Sequence, residues 1–173
     1  MELTVDLPSA QATRAWGGAL AGVLRAGDLV ILIGELGAGK TTLVQGLAKA
    51  LQVAGQVASP TFIIARQHPP LADGPWLIHA DAYRLESLAE LDDLDLDTSL
   101  DQAITVVEWG QGVVEALTPN WLEVKLTRSR GTSQDPDSGG QTVWPSGASD
   151  WRVGVARGVG ERWSGIELPG LAN

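Results

Sequence analysis

The chain has 173 residues, no cysteine and a formal net charge of −9 at pH 7. Its length and apolar content suit one domain with a hydrophobic core, and the lack of cysteine excludes disulfides, zinc–thiolate sites and thiol catalysis. The negative charge disfavours autonomous binding of DNA or tRNA, because phosphate binding usually needs a basic surface. We expect instead a chain that docks on a basic protein partner.

The sequence shows no sign of a membrane span or a secretory signal. The N-terminal segment MELTVDLPSA has no basic stretch followed by a long apolar one. The apolar runs are far shorter than the roughly 20 residues that a spanning helix needs. We therefore expect a cytoplasmic protein with no membrane association.

The N-terminal part alternates strand and helix signals. Residues 3–7 alternate apolar and polar side chains like a short strand, and Ser9 is placed to cap a helix that runs to about Leu24. The apolar run LVILI, Leu29–Ile33, predicts a strand buried on both faces. After a glycine-rich stretch, residues 41–51 have the composition of a helix.

The remaining elements continue this alternation. Further strands are predicted over residues 62–65, 76–79, 104–107, 121–126 and 151–156, and a helix over residues 87–94. Strands alternating with helices predict an α/β fold with a largely parallel central sheet, flanking helices and a C-terminal antiparallel strand pair. We expect one domain over residues 1–173. Residues 129–150 are rich in Gly, Ser, Asp and Pro, which predicts a flexible insert.

The stretch GELGAGKT, residues 34–41, matches the pattern G-x-x-x-x-G-K-[ST] in full. Glycines allow the backbone N–H groups to surround an anion, and the positive end of the following helix lies at the same place. In this pattern Lys40 reaches the β- and γ-phosphates and the Thr41 hydroxyl binds Mg²⁺. The apolar strand before the pattern and the helix after it supply the context that a phosphate loop requires, which a simple tight turn does not explain.

Other motifs in the sequence indicate which nucleotide is bound and which residues would hold its metal ion. The N/T-K-x-D pattern that reads guanine is absent from the sequence, which favours ATP. Mg²⁺ also needs carboxylate support, and Asp81 and Glu108 each close a predicted strand. Because ligands of open parallel sheets bind at the carboxyl ends of the strands, both acids are candidates for the site. The alternative is that each is a solvated acid at a strand end.

Two further features have both a structural and a functional interpretation. Ser59-Pro60-Thr61 is either a rigid entry to a strand or a switch-like segment in which Thr61 senses the γ-phosphate. His79 is interpreted as a packing residue at a strand end rather than as a base, because ATP hydrolysis mainly needs positioning and charge stabilisation.

Four motifs together resemble a known family. GELGAGKTT, SPTF, HADAYRL and VVEWG, in this order, are similar to the bacterial TsaE (YjeE) family, over about residues 4–126. That family comprises small ATPases needed for threonylcarbamoyladenosine synthesis on tRNA. The resemblance implies a P-loop NTPase fold, Mg²⁺-dependent ATP hydrolysis and association with a TsaB–TsaD heterodimer. Contact with tRNA is then only indirect, through that complex.

The resemblance also implies roles for individual residues. The phosphate-binding residues would be Gly34, Glu35, Leu36, Gly37, Ala38, Gly39, Lys40, Thr41 and Thr42. Thr41 and Glu108 would hold Mg²⁺, and Asp81 would act near the γ-phosphate.

The same resemblance assigns three further positions. Thr61 would be the switch residue, and Trp109 and Gln111 would lie beside the nucleotide. Whether Arg130 or Arg152 approaches the nucleotide stays open.

Two other functions remain alternatives at this stage. A small-molecule phosphotransferase would use the same loop, although no arginine-rich lid segment is visible in the sequence. A non-hydrolysing, nucleotide-gated scaffold is the other alternative, and the pair Asp81 and Glu108 argues against it.

Overall fold

The computed structural model describes residues 1–60, 65–82, 101–128 and 151–171. Within these ranges the chain forms a seven-stranded sheet and two α-helices. The strands are β1 (Glu2–Leu7), β2 (Leu29–Ile33), β3 (Ala65–His68), β4 (Trp76–Asp81), β5 (Ala103–Glu108), β6 (Trp121–Arg128) and β7 (Arg152–Val159). The helices are α1 (Ala10–Ala21) and α2 (Lys40–Ala50), with short 3₁₀ turns at Val114–Leu117 and Glu161–Trp163. Neither α-helix is long and apolar enough to cross a membrane.

The strand order is β1-β7-β6-β2-β5-β4-β3. The four central strands, β6, β2, β5 and β4, are parallel neighbours. The pairs β1–β7, β7–β6 and β3–β4 are antiparallel. The expected C-terminal antiparallel pair is therefore confirmed.

The expectation of a largely parallel sheet is wrong, because half of the pairings are antiparallel and the sheet is mixed. The physical reason lies in the connections. A parallel crossover needs about a dozen residues or more, whereas β3 and β4 are joined by only residues 69–75. Such a short link returns the chain as an antiparallel neighbour.

The predicted N-terminal cap of α1 is confirmed, but the helix is shorter than expected. The Ser9 hydroxyl accepts a hydrogen bond from the Ala12 N–H over 3.1 Å. The helix ends at Ala21 rather than near Leu24. There the chain tightens, since the N–H of Gly22 bonds the carbonyl of Ala19 three residues back.

The two helices cross in very close contact at a pair of glycines. A Cβ atom at Gly17 would overlap the carbonyl oxygen of Leu43, and one at Gly46 would overlap that of Arg14. Any larger residue would therefore push the helices apart. At this crossing Gly17, in the middle of α1, lies beside Leu43 in the first turn of α2.

Strand β2 lies in the middle of the sheet and is almost entirely buried, as its apolar run predicts. Alternate residues of the central strands face α1 and α2 on one side, including Val30, Leu32, Ile104 and Val106. The carboxyl ends of the central strands meet at one edge, where the chain leaves β2 for α2.

The helix predicted over residues 87–94, most of the strand predicted over residues 62–65, and the insert at 129–150 lie outside the described residues.

Candidate functional site

The glycine-rich loop between β2 and α2 depends on backbone conformations that favour glycine. Gly34, Gly37 and Gly39 have φ angles of 154°, 78° and 105°. A Cβ at Gly34 would lie 2.5 Å from the carbonyl oxygen of Leu126 and 3.0 Å from the Cβ of Ala38. The start of the loop is thus packed between Leu126 of β6 and Ala38 of the loop itself. The loop cannot keep this shape with side chains at the three glycine positions.

The apex of the loop faces outward. Glu35, Leu36 and Gly37 are exposed, and Leu36 is 94% exposed although it is a large apolar residue. Ala38 is buried beneath them. Gly39 supplies no side-chain cap to α2, so the positive end of this helix has no capping oxygen from its own N-cap residue.

Lys40, the first residue of α2, turns back under the loop and is only 5% exposed. Its ammonium donates hydrogen bonds to the carbonyl oxygens of Gly34 (2.8 Å) and Glu35 (3.2 Å). The same nitrogen lies 4.1 Å from the ring centre of Trp109. Burial lowers the pKa of Lys40 below the usual lysine value.

Two carboxylates oppose that effect on the Lys40 pKa. Glu108 and Asp81 both raise it, because each favours the charged ammonium. The nearer Glu108 oxygen, Oε2, is 4.0 Å from the Lys40 Nζ. Lys40 is therefore a buried cation held by acidic groups and loop carbonyls.

Glu108 is the residue on which the site converges. It closes β5 and is 4% exposed. Its Oε1 accepts a hydrogen bond from the Thr41 hydroxyl (3.0 Å) and lies 2.9 Å from the Nε2 of His79. The carboxylate is thus fixed from α2 on one side and from β4 on the other.

Asp81 closes the neighbouring strand β4 and is directly opposite Glu108 in the sheet register. Because side chains alternate along a strand, Asp81 and His79 point to the same face. Asp81 is 9% exposed and is the more accessible of the two acids. Neither acid is the freely solvated strand-end group of the alternative interpretation.

Trp109 makes the sharp turn that follows β5. Its φ angle is 60°, unusual for a large residue, and its N–H donates to the carbonyl oxygen of Leu32 over 3.2 Å. This turn brings the indole over Lys40. Gln111, two residues further, is exposed.

The structure brings together Lys40, Thr41, Asp81, Glu108 and Trp109, which the sequence had placed at one site. Their roles toward a nucleotide stay predictions, as do those of the remaining loop residues. Thr42, the third residue of α2, is half-buried. Thr61 lies outside the described residues.

Sequence reasoning missed two contacts. His79 was interpreted as a packing residue, yet it reaches the Glu108 carboxylate. The available signal was its spacing of two residues from Asp81 within a strand, which puts both on one face. Arg152, whose role was left open, donates from Nε to the carbonyl oxygen of Ala38 over 2.9 Å. It therefore supports the loop from β7, and no local pattern could have shown this.

The donor set fits a phosphate with Mg²⁺. Hydroxyl and carboxylate oxygens, as Thr41 and Glu108 provide, are the ligands that Mg²⁺ prefers. In the described ranges, no three His, Asp or Glu side chains are grouped so that they would hold a metal ion by themselves. Phosphate oxygens and water would therefore have to complete the coordination, as is usual for Mg²⁺.

The fold and the site define an α/β protein with a glycine-rich loop joining a central strand to a helix, beside two strand-end acids. The family model described as "Threonylcarbamoyl adenosine biosynthesis protein TsaE" matches residues 7–135, and the chain belongs to this family. The resemblance seen in the four motifs is therefore confirmed.

Individual relatives agree over most of the chain. A Streptomyces coelicolor protein named tRNA threonylcarbamoyladenosine biosynthesis protein TsaE is 49% identical over 160 residues, covering 92% of this chain and 99% of its own. A Mycobacterium tuberculosis protein of the same name is 48% identical over 132 residues, 72% of this chain and 79% of its own. The crystal structure of Bacillus subtilis YdiB superposes with a TM-score of 0.68 at 27% identity, covering 95% of this chain and 90% of that one.

Proposed function

We propose that this protein binds and hydrolyses ATP with Mg²⁺ and serves the threonylcarbamoyladenosine modification of tRNA, as a cytoplasmic protein. The observation that carries the proposal is the convergence on one buried carboxylate. The Thr41 hydroxyl bonds to Glu108 Oε1 at 3.0 Å, and the Lys40 ammonium lies 4.0 Å from Oε2. This arrangement stands directly under a glycine-rich loop, and relatives named for the same modification cover most of the chain.

The loop and Lys40 would bind the phosphates. The open backbone at Gly37, where an added Cβ would meet nothing closer than 4.0 Å, leaves room for an anion to approach. Lys40 already donates hydrogen bonds to the loop carbonyls, so its ammonium is held at the base of the loop before a phosphate binds. Little side-chain entropy would then be lost on binding. A phosphate would gain the helix dipole and this charge together.

Thr41 and Glu108 would hold the metal ion. A Mg²⁺ ion held by these two residues would neutralise the negative charge that develops on the phosphate oxygens. Glu108 suits the task because its carboxylate is buried and bonded in place rather than free to rotate.

Asp81 would orient the attacking water at the γ-phosphate. It is the more exposed of the two acids and lies directly opposite Glu108 in the register, so it can serve the water while Glu108 serves the metal. Phosphoryl transfer gains mainly from such positioning.

A TsaB–TsaD-like heterodimer is the proposed partner. The net charge of −9 favours docking on a basic surface. The loop apex is exposed, with Leu36 94% exposed, and a partner that covers it would exclude water from the site. tRNA would then be reached only through the complex.

The first test measures phosphate release from ATP with Mg²⁺, with EDTA, and with candidate small-molecule acceptors. Release that requires Mg²⁺ and no acceptor supports the proposal. Transfer to an acceptor favours a phosphotransferase, and ATP binding without release favours a scaffold.

The second test titrates the purified heterodimer into that assay at low and high ionic strength. We expect slow hydrolysis by the isolated chain, acceleration by the heterodimer and weaker acceleration at high salt. Rapid turnover that the heterodimer leaves unchanged would contradict the partnership.

A further inference from the structure

His79 is fully buried and directed at the carboxylate on which the site converges. Its Nε2 lies 2.9 Å from Glu108 Oε1, the same oxygen that accepts the Thr41 hydroxyl at 3.0 Å. The other Glu108 oxygen, Oε2, is the one nearer to Lys40. The two carboxylate oxygens therefore have different neighbours. His79, on β4, and Thr41, on α2, contact Oε1, and Lys40 lies nearer to Oε2.

The hydrogen bond indicates which ring nitrogen carries the proton. A carboxylate oxygen only accepts, so the His79 ring must donate from Nε2. Its Nδ1 is buried and has no hydrogen-bond partner in the described part of the chain. Among the described residues, the ring thus makes one hydrogen bond, to Glu108.

We propose that His79 is a positioning residue that holds Glu108 in the orientation needed for the magnesium site. The inference rests on the proposed function, because it concerns the carboxylate assigned there to the metal. The Thr41 hydroxyl is both the other partner of Oε1 and a proposed metal ligand. His79 provides the bond that keeps the carboxylate in place when that hydroxyl is engaged elsewhere.

Partners of this kind matter for metal sites in general. Groups that hydrogen-bond a metal ligand fix its orientation, and their loss commonly weakens metal binding by about 10- to 100-fold. A merely structural histidine would instead change stability without changing the metal requirement. The two roles are therefore separable by measurement.

The test compares His79→Leu, which removes the donor, with His79→Gln, whose side-chain amide can still donate to Glu108. Binding of a non-hydrolysable ATP analogue is measured by calorimetry over a series of Mg²⁺ concentrations and in EDTA. We expect His79→Leu to need about tenfold more Mg²⁺ while its affinity in EDTA is unchanged. His79→Gln should recover most of the parental requirement.

His68 offers a matched control. It is also buried, and it uses one ring nitrogen, Nδ1, to contact the carbonyl oxygen of Ala54 at 3.0 Å while Nε2 has no partner in the described part. His68→Leu should lower the free energy of unfolding without changing the Mg²⁺ requirement.

A second readout needs neither nucleotide nor variant. The chain has only two histidines, so ¹⁵N NMR of the imidazoles in the parent protein should show two rings with opposite tautomers. His79 should carry its proton on Nε2 and His68, facing a carbonyl, on Nδ1. If His79→Leu fails to fold, this spectrum and the Mg²⁺ requirement of His79→Gln still test whether His79 positions Glu108.

The outcomes separate this inference from the function beneath it. A parent that binds the analogue without regard to Mg²⁺ would overturn the proposed metal site, and this inference with it. If the parent protein requires Mg²⁺ and the His79→Leu variant requires the same Mg²⁺ concentration, this inference alone would be overturned. A His79 proton on Nδ1 only would do the same.

Discussion

The hydroxyl of Thr41 donates a hydrogen bond to Oε1 of Glu108 over 3.0 Å, across 67 positions of sequence. It ties the first turn of α2 to the carboxyl end of β5. Because β2 and β5 are parallel neighbours, the glycine-rich loop after β2 and the acid at the end of β5 arrive at one edge of the sheet. The candidate site follows from this meeting of two chain segments.

Replacement of Lys40 by alanine should weaken ATP binding and preserve the fold. The ammonium provides charge-assisted hydrogen bonds of about 1.5–3 kcal/mol, so the Kd of ATP should rise about 10- to 100-fold. Calorimetry measures the affinity, and circular dichroism measures the fold. Lys49→Ala, on an exposed position of the same helix, is the control and should bind normally. Parental ATP hydrolysis by the Lys40 variant would show that the loop is not the nucleotide site.

ATP affinity should depend on pH through Lys40. Burial lowers the pKa of this group, so its positive charge is lost at a lower pH than for an ordinary lysine. The protonated form is the one that binds phosphate. Affinity should therefore be full below the lowered pKa and fall as the pH rises through it. We would measure the Kd of an ATP analogue from neutral to alkaline pH. In the Lys40→Ala variant this fall should disappear; the same fall in both proteins would assign it to another group.

The two acids should separate binding from hydrolysis. Glu108→Gln removes the proposed metal ligand, and its ATP affinity in Mg²⁺ should drop to the value measured in EDTA. Asp81→Asn should keep ATP binding but lower kcat on the order of 100-fold, as expected for a group that acts in the transition state. Asp101→Asn, an exposed acid just before β5, is the control. Equal losses of binding and turnover in both variants would refute the division of roles.

Gly34→Ala should destabilise the protein more than the same change at Gly112. Both glycines have positive φ, which costs an alanine about 1–2 kcal/mol. At Gly34 the added Cβ would also lie 2.5 Å from the carbonyl oxygen of Leu126, whereas at Gly112 nothing lies within 4 Å. We expect a total cost of about 3 kcal/mol at Gly34, measured by urea unfolding with an unchanged m-value. A similar loss in the free energy of unfolding at both positions would mean that the loop shifts to accommodate the added Cβ at little cost.

Deletion of residues 132–149 should change stability little and leave ATP binding intact. Arg128 and Arg152 are direct partners at the ends of β6 and β7, and the deletion leaves a five-residue connection between them. Closing the shorter loop should stabilise the chain by about 1 kcal/mol. Urea unfolding and calorimetry check the two expectations. A loss of ATP affinity above about tenfold, or 1.4 kcal/mol, would show that this segment contributes to the site.

The sequence by itself determined the elements whose causes are local. The cap at Ser9 depends on a bond three residues away, and the buried strand Leu29–Ile33 on an uninterrupted apolar run. The glycine-rich loop depends on positions that must adopt positive φ. Such signals lie within a few residues of one another, so they can be read without the fold.

Only the tertiary structure decided which strands are neighbours and what their side chains contact. Alternation along β4 puts His79 and Asp81 on one face, but it does not say that Glu108 lies beside them. The bond from Arg152 to Ala38 joins residues 114 positions apart. The order of strands is set by non-local packing, because the same alternating pattern can pair with several partners until the helices and connections select one. For that reason the mixed sheet and the contact of His79 with Glu108 emerged only from the fold.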